Sequence, residues 1–543
     1  MTRFLYRYRL IVALLISVAP LVAVGQAPNG TKAPATDAPD LSEYRTADQA
    51  VALRINLAPP TGARSPGYLG VHVKNDGSAL TVSEIQPGSP AAQAGVRTGD
   101  VLVKVDGAVL SGPDALREVV QSKAAGEKLS LTLRRGEEAL DVTVTLAATS
   151  RPMTGESGGT VGKGGGKKGG KGFQEVALPP WKKEVYRLAV VIVEFPDIKH
   201  NEKITPVDWE HALFSRNFFN KTNATGQAVY GSLNDYYQEQ SYGKFSIEGK
   251  VFAPVLVSKK RAEYAPGNGT GIANKTAVLT EAMGKLEARE AKDAFKDFDG
   301  LCFIYAGSRV QTNRGNLYYP HRGSITFQNK RWSYCLCPEG GTKMETISVF
   351  ALEFGKLLGL PELAARTENA GSEGLGVWCL MSDGAGQNGK PMHLSAWCKE
   401  QLGWLTPTVV DPTTRQKLIL GPVQNSPKEC LKVMVRLDGS EYFLLENRTA
   451  KGFDSGLPAQ GLLIWRVSGG RPTLEESHGV TGPTGPRVHL NAVPYPSKAN
   501  NAFTPITTPS SRSVNGGGLP VHITNIRRLA DGRITLFLGY EYH

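Results

Sequence analysis

The chain has 543 residues, of which 41% are hydrophobic and 21% are charged, and its formal net charge is +12. This length and apolar content are sufficient for several domains with their own cores, and they exclude an intrinsically disordered protein. Much of the positive charge lies near the N terminus and in the stretch "TVGKGGGKKGGKGFQ" at 160–174. Glycine-rich sequence without apolar residues is typical of a solvated linker, so the charge does not indicate a nucleic-acid partner.

The first 25 residues have the pattern of a secretory signal peptide. Three arginines precede an apolar run over 10–24, which ends in the small-residue pattern Ala23-Val24-Gly25. This order predicts cleavage after Gly25 and an exported protein that is periplasmic, cell-surface or extracellular. An uncleaved anchor is the alternative, but the run is short for a bilayer span and contains Pro20. We expect no transmembrane anchor after cleavage, because no later segment is apolar enough.

The region between the signal and the linker changes character near residue 65. Residues 26–64 are rich in proline and alanine, and we predict that they are mostly disordered, with one candidate short helix around 47–55. Over 65–148, "YLGVHV", "LTVSEI", "LSLTLRR" and "LDVTVTL" alternate with period two, while "GPDALREVVQSKA" has helical spacing. These patterns predict a small β-rich domain with one main helix.

Two segments of this domain, "GYLGV" at 67–71 and "IQPGSPAAQAGVRTGDVLVKVDG" at 85–107, resemble the PDZ domains of bacterial high-temperature-requirement proteases. The resemblance implies a groove for polypeptide C termini or extended peptides, in which the backbone N–H groups of Leu69, Gly70 and Val71 hold a terminal carboxylate. Tyr68 is also a predicted peptide-binding residue. The predicted helix would form the other wall through Leu116, Val119 and Val120. An apolar wall predicts an apolar peptide terminus. The alternative is a groove that is filled by the protein's own chain.

The predicted linker covers 149–174, and the pattern after it indicates a larger α/β or α+β domain. "VYRLAVVIVEFPDI" at 185–198 is a nearly continuous apolar run, as expected for a strand that is buried on both faces. A helix is predicted around Leu233 to Gln240, followed by a strand that begins near Phe245.

The stretch "TISVFALEFGKLLGLPEL" at 346–363 is predicted to be an amphipathic helix, with stop signals at Gly359 and Pro361. Its core stripe consists of Ile347, Phe350, Ala351, Phe354, Leu357 and Leu358. Glu353 and Lys356 fall outside this stripe, and Leu352 lies near Lys356 on the neighbouring face. By itself this pattern is common among amphipathic helices, and it establishes no function.

A series of further segments resembles the immune inhibitor A family of secreted zinc metalloproteases along nearly all of 185–543. It includes "VVIVEFPD", "SLNDYYQEQSYGKFSIEGKV", "DFDGLCFIYAGS", "EFGKLLGLPEL", "GVWCLMSDG" and "HLSAWCKEQLGWL". The resemblance implies a zincin-like α/β metallopeptidase-type domain over 175–405 and a C-terminal β-rich domain over 406–543. With the PDZ domain, the expected fold class is multidomain α+β. Met381 would correspond to the methionine-bearing turn below the active site, unless it is an ordinary core residue.

The sequence departs from the family at its zinc motif, H-E-x-x-H. Leu352 and Lys356 stand where the resemblance places the two zinc-binding histidines, and Glu353 stands where it places the general base. Leucine has no lone pair for a metal. A lysine ammonium about 4 Å from a dication would be repelled by roughly 8 kcal/mol at an effective dielectric of 20. We therefore expect no metal here and interpret Glu353 as a vestigial base that pairs with Lys356. The alternative is a solvated pair worth a few tenths of a kcal/mol.

Histidine, glutamate and cysteine side chains elsewhere in the chain are further candidate metal ligands. His321 and His393 lie in family-like segments, but no histidine partner completes a site, and both are predicted to be structural. Glu373 is a conceivable remaining carboxylate ligand without an assignment. In an exported protein, the six cysteines predict one or two disulfides. A zinc site formed by Cys335, Cys337, Cys379 and Cys398 is the alternative.

The sequence thus predicts an exported pseudopeptidase that binds peptides through the PDZ groove and a protein ligand through the protease-like cleft. One alternative is an active secreted metallopeptidase that uses zinc through unidentified ligands. The other is a structural scaffold of the cell envelope.

Overall fold

The computed structural model of the chain describes residues 40–53, 67–75, 80–85, 89–109, 126–148, 178–265, 275–309, 318–364, 375–384, 389–480 and 489–540, together with 112, 116, 119–120, 123 and 386. Strands in several sheets predominate in these ranges and helices are shorter, so the predicted multidomain α+β class is confirmed. The predicted signal peptide and linker lie outside the described residues. None of the described helices is long and apolar enough to cross a membrane.

Residues 40–53 contain one short strand, β1 (Arg45–Thr46), and a single turn of 3-10 helix over Ala47–Gln49. β1 pairs in parallel with a strand of the C-terminal region, where Arg45 lies opposite Leu418. Val51 N–H donates to Gln416 Oε1 at 2.8 Å, and Leu53 N–H donates to the carbonyl of Val409. Of the helix predicted around 47–55, the described residues 47–53 contain one turn. The backbone groups of residues 51–53 bond to Gln416 and Val409 at the edge of the sheet. Extended backbone can reach these partners, whereas a helix would use the same groups for its own hydrogen bonds.

Residues 67–148 form the small β-rich unit that the alternating pattern predicts. Its elements are β2 (Gly67–Tyr68), β3 (Val71–Asn75), β4 (Leu80–Ile85), α1 (Pro90–Gln93), β5 (Val101–Val105), β6 (Lys128–Arg135), β7 (Glu138–Thr145) and β8 (Ala147–Ala148). β3 to β7 form one antiparallel sheet in chain order, and β2 pairs with β8. Leu129, Leu131 and Leu133 of β6 are buried, because alternate residues of a strand face the same side.

The next region is a mixed sheet with helices on both faces. Its elements are β9 (Val185–Glu194), α2 (Pro206–Phe214), α3 (Leu233–Gln240), β10 (Ser246–Leu256), α4 (Arg261–Tyr264), α5 (Lys275–Arg289), β11 (Gly300–Tyr305), β12 (His321–Phe327), β13 (Lys330–Pro338) and α6 (Ile347–Leu357). The strand order is β10-β9-β11-β13-β12. All neighbours are parallel except β12, which runs antiparallel to β13 at the sheet edge.

The buried strand that the apolar run at 185–198 predicts is β9, at the centre of this sheet. Val190 and Ile192 face one core, which includes residues of α2, α3 and α6. Val191 and Val193 face a second core, which includes residues of α5. A strand covered on both faces has no polar side, which explains the continuous apolar pattern.

The C-terminal region is mostly strands. It comprises α7 (Ala396–Leu402), β14 (Thr408–Val410), β15 (Gln416–Leu420), β16 (Cys430–Met434), β17 (Glu441–Arg448), β18 (Gly461–Ser468), β19 (Arg471–Leu474), β20 (Ile523–Arg528) and β21 (Ile534–Leu538). Two sheets form, with the orders β14-β16-β17-β18-β19 and β1-β15-β21-β20. In β17, Phe443 and Leu445 face the core between the sheets, while Leu444 belongs to the core that contains α6. The C-terminal strands therefore help to hold α6 in place.

Candidate functional site

Helix α6 carries the three positions at which the zinc motif is altered. Thr346 precedes the helix in an extended conformation, and its predicted core stripe is buried. The Tyr237 hydroxyl, from α3, donates to the carbonyl of Ala351 at 2.7 Å. The chain turns away at Gly359, which has φ +89° and whose hypothetical Cβ would lie 2.6 Å from the carbonyl oxygen of Pro179. Only glycine fits this left-handed position, so the helix ends there.

Lys356 lies between two carboxylates. Its Nζ is 3.1 Å from Glu353 Oε1 and 3.2 Å from Glu362 Oε2. The side chain of Lys356 is 14% exposed, that of Glu353 3% and that of Glu362 60%. The predicted Glu353–Lys356 ion pair is confirmed, and the burial of both side chains distinguishes it from a solvated surface pair.

The prediction that Glu353 falls outside the buried stripe was wrong, since the residue is 2% exposed. Helix α6 contacts the strands β12 and β13 as well as helix α3, so more of its surface is covered than the apolar stripe alone. The spacing of apolar residues shows which face of the helix is apolar. Burial depends instead on which faces of the helix other elements cover. A polar side chain is tolerated under such a cover when it has a partner.

Burial dominates the electrostatics of the pair. It raises the pKa of Glu353 to about 7, although Lys356 acts in the opposite direction. Burial also lowers the pKa of Lys356, but Glu353 and Glu362 outweigh this effect and the net direction is upward. Lys356 therefore remains an ammonium ion at neutral pH. Glu353 Oε2 has no hydrogen-bond partner among the described residues.

Glu362 was missed by the sequence reasoning, although its spacing carried a signal. In the longer zinc motif H-E-x-x-H-x-x-G-x-x-H, a glycine stands three residues after the second histidine and a third ligand stands six residues after it. Gly359 and Glu362 occupy these two places relative to Lys356. The ammonium of Lys356 thus contacts the motif's general-base position and its third-ligand position.

These residues do not fit a zinc ion. Leu352 is half-buried and offers no donor atom, while Lys356 holds a positive charge against the two carboxylates. A dication would have to displace or deprotonate this lysine, whose neighbours favour its charged form. Glu373, the conceivable additional ligand, lies outside the described residues.

Met381 lies directly against the helix between the altered positions. A Cβ added to Gly355 would be 2.6 Å from Met381 Sδ and 3.2 Å from the Tyr237 hydroxyl. Met381 is fully buried, and its carbonyl accepts a hydrogen bond from Leu363 N–H. Met381 therefore packs against the part of helix α6 that carries Leu352, Glu353 and Lys356, which is the place expected for the methionine-bearing turn.

The two histidines make structural contacts. His393 is fully buried, with Nε2 2.6 Å from Glu239 Oε1 and Nδ1 3.1 Å from Lys399 Nζ. Burial lowers its pKa, which favours the neutral ring. His321 lies at the start of β12 with Nδ1 2.7 Å from the carbonyl oxygen of Tyr319. These contacts agree with the structural roles predicted for both.

The cysteine predictions need correction, because all six cysteines are buried free thiols. Cys379 and Cys398 form a pair with sulfur atoms 3.8 Å apart. Cys335 and Cys337 instead lie with Cys302, since these three residues share one face of neighbouring strands. The structure therefore contains neither the expected disulfides nor a four-cysteine zinc site within the described ranges.

The predicted peptide-binding residues lie around two elements of the small β-rich unit. Tyr68 ends β2, Leu69 is buried, and Val71 begins β3. Gly70 has φ +81°, and its hypothetical Cβ would lie 2.2 Å from Ser89 Cβ. This loop lies against α1, where Ala91 N–H donates to the carbonyl of Leu69 at 3.0 Å.

The other proposed wall of the groove is more buried than its assigned role suggests. Leu116 is 5% exposed and Val120 is 7% exposed, and both belong to the core of the unit. Val119 is partly buried against the same core. Peptide contact by these three residues stays a prediction.

Comparison with known proteins identifies two relationships. Residues 67–146 match the PDZ domain family, and residues 180–303 match the catalytic domain of immune inhibitor A, peptidase M6. The second match ends before helix α6 begins.

Individual relatives follow the same division. The periplasmic pH-dependent serine endoprotease DegQ of Escherichia coli (strain K12) is 37% identical over 100 residues, which is 17% of this chain and 22% of that protein. Immune inhibitor A of Bacillus thuringiensis subsp. alesti is 24% identical over 310 residues, which is 44% of this chain and 42% of that protein. The chain therefore spans less than half the length of these curated relatives.

Among solved structures, the HtrA3 PDZ domain bound to a phage-derived ligand (FGRWV) is 27% identical and covers 15% of this chain and 84% of that chain, with a TM-score of 0.14. The sequence matches, rather than this score, carry the relationship. The chain thus joins a PDZ domain to a region that is homologous to the immune inhibitor A peptidases.

Proposed function

We propose that this protein is an exported peptide-binding protein whose peptidase-related domain does not hydrolyse its ligand. The position of the Lys356 ammonium, within 3.2 Å of both Glu353 and Glu362, carries this proposal. A cation is already held where the zinc motif would direct one. In a zinc peptidase the metal acidifies a bound water and polarises the substrate carbonyl. Without that metal, Glu353 would have no acidified water from which to take a proton.

The peptidase-related domain retains an edge suited to an extended polypeptide. Among the described residues, β12 is the edge strand of this sheet and β13 is its neighbouring strand. An extended chain can add to such an edge as another strand. We propose that a protein ligand binds along this edge in a zincin-like cleft above helix α6.

The PDZ domain is proposed to bind polypeptide C termini. The loop at Leu69 and Gly70 turns through a conformation that needs glycine, and it lies against α1. A groove of this type holds a terminal carboxylate through backbone N–H groups and extends β-pairing to the peptide. The apolar residues Leu116, Val119 and Val120 favour an apolar final side chain.

The chain on each side of the PDZ domain continues into a strand that belongs to a larger sheet. On its N-terminal side, residues 45–53 are paired with the C-terminal strands, and on its C-terminal side β9 starts at Val185. When one target reaches both ligand sites, binding at the first site makes binding at the second intramolecular. The second event then occurs at an effective concentration on the order of millimolar. We propose that the two domains bind one polypeptide together.

The test uses the complete exported chain and a fluorescent peptide with a C-terminal valine. We expect saturable binding that is lost when the peptide carboxylate is amidated. We also expect that casein, incubated with the protein and zinc, stays intact. Casein cleavage that a chelator abolishes would overturn the non-catalytic proposal, and binding that is unaffected by amidation would overturn the PDZ assignment.

One observation favours the second candidate, an active secreted metallopeptidase. Burial raises the pKa of Glu353 to about 7, and a general base works best when its pKa lies near the operating pH. Glu353 Oε2 also has no hydrogen-bond partner among the described residues. Such an enzyme would need metal ligands beyond those described here. Loss of chelator-sensitive casein cleavage in Glu353→Gln would support it.

A further inference from the structure

Three cysteine thiols meet in the core between the central sheet and helix α6. Cys302 on β11 lies opposite Cys335 on β13, and Cys337 is two residues further along the same strand. Because alternate residues share a face, all three side chains point to the same side of the sheet. Their sulfur atoms all lie within 4.8 Å of one another.

We propose that Cys302, Cys335 and Cys337 form a binding site for one thiophilic d10 metal ion, with Cu(I) as the preferred ion. This site is separate from the altered zinc motif, and the inference does not rest on the proposed function. Of the three cysteines, the peptidase match includes Cys302 alone, and the PDZ match includes none.

The spacing of the three sulfurs fits a shared metal. Sulfur ligands about 2.3 Å from one ion lie roughly 4 Å from each other. The observed upper limit of 4.8 Å is therefore within about 1 Å of a bound arrangement, a gap that side-chain rotation can close. No large movement of β11 or β13 is required.

The number of ligands favours Cu(I) over zinc. Structural zinc sites hold four protein ligands, whereas the described residues supply three donors within this distance limit. Soft thiolates suit both Cu(I) and zinc, and of these two ions zinc is the one whose structural sites require a fourth protein ligand. Binding exchanges the thiol protons, which go to solvent, for metal–sulfur bonds, and no electron is transferred.

The environment protects such a site. All three cysteines are at most 1% exposed, and Tyr186, Phe350 and Phe354 belong to the same buried cluster. Three thiols in contact cannot all be joined by disulfides, because a disulfide uses two and leaves one. A metal ion satisfies all three at once. Since the thiols are buried, the ion would be taken up before or during folding.

The experiment compares four forms of the complete chain, each produced with copper or zinc in the medium and purified without oxygen. They are the natural protein, Cys302→Ser, Cys335→Ser and the control Cys430→Ser, which changes a buried cysteine outside the cluster. Metal content is measured by mass spectrometry and folding by near-ultraviolet circular dichroism. X-ray absorption measures the number of sulfur neighbours around bound copper.

We expect about one copper per chain in the natural protein and in Cys430→Ser, three sulfur neighbours, and less than about a tenth of that metal content in a folded Cys302→Ser or Cys335→Ser. If one serine variant fails to fold, the sulfur count of the natural protein still decides. Absence of metal from the natural protein, unchanged metal in both serine variants, or a disulfide within the cluster would overturn the proposal. Casein cleavage is a separate readout, so this inference and the proposed function can fail independently.

Discussion

Lys356 Nζ lies 3.1 Å from Glu353 Oε1 on the buried side of helix α6, in the two positions that a zinc peptidase uses for a metal ligand and a base. Replacement of Lys356 with methionine keeps much of the side-chain volume but removes the charge. We expect Lys356→Met to destabilise the protein by about 2 kcal/mol at pH 8, because a buried carboxylate loses its partner. Chemical denaturation at this pH measures the loss.

Two further variants separate the ion pair from general packing. In Lys356→Met/Glu353→Gln the unpartnered charge is absent, so we expect a large part of the stability to return. Lys432→Met is the matched control, because Lys432 Nζ lies 2.9 Å from Glu400 and both side chains are about one-fifth exposed. If Lys356→Met costs no more than this control, the pair has no special structural role.

The raised pKa of Glu353 predicts a pH dependence of stability. In the unfolded chain the group titrates near 4.5, whereas in the folded protein burial raises the pKa to about 7. The native state thus binds the proton of Glu353 more tightly than the unfolded state does. The resulting contribution to the free energy of unfolding is complete below pH 4.5 and is lost as the pH rises through 7. It amounts to roughly 3 kcal/mol at most.

Glu353→Gln removes this titration and provides the measurement. We expect the stability of the variant relative to the natural protein to rise between pH 4.5 and 7 and then to level off. Lys356→Met removes the charge that lowers this pKa, so it moves the upper limit of the range to higher pH. A stability difference that is independent of pH would show that Glu353 titrates normally.

Restoration of the two histidines should create a metal site. Leu352→His and Lys356→His together place two imidazoles one helical turn apart, next to the carboxylate of Glu362. We expect the double variant to gain about one zinc per chain over the natural protein, measured by mass spectrometry after dialysis. Leu352→His alone keeps the lysine ammonium and should gain none. Equal zinc in both variants would mean that Lys356 does not exclude the metal.

Much of the framework could be predicted from the sequence, because apolar patterns report burial directly. The run at 185–198 gives β9, the helix expected at 233–240 is α3, and the apolar stripe of α6 is buried as predicted. The altered zinc motif also predicts that Glu353 and Lys356 form a pair, and their side chains lie 3.1 Å apart.

The remainder depends on contacts between distant segments, which local patterns do not contain. Glu353 is buried because strands and another helix cover a polar face of α6. Residues 51–53 are extended because their partners, including Gln416, belong to strands far along the chain. Cys302 joins Cys335 and Cys337 through strand register, which spacing along the chain cannot reveal.

Gly70 should be essential for peptide binding by the PDZ domain. At φ +81°, any side chain is strained, and its Cβ would lie 2.2 Å from Ser89 Cβ. We expect Gly70→Ala to weaken binding of a peptide with a C-terminal valine at least tenfold, which corresponds to about 1.4 kcal/mol. Gly136→Ala is the control, because Gly136 also has positive φ but has no atom within 4 Å of its hypothetical Cβ. Fluorescence anisotropy measures both, and equal affinities would remove this loop from the binding site.

The packing of Met381 beneath helix α6 predicts opposite effects for two helical glycines. Gly355→Ala adds a methyl group 2.6 Å from Met381 Sδ, so we expect it to destabilise the protein by about 1–3 kcal/mol through overpacking. Gly284→Ala lies in helix α5 with no atom within 4 Å of its hypothetical Cβ, and it should stabilise by up to about 1 kcal/mol through helix propensity. Denaturation midpoints of both variants test the contrast. A Gly355→Ala protein as stable as Gly284→Ala would mean that Met381 moves freely, and that the methionine does not fix the segment carrying Leu352, Glu353 and Lys356.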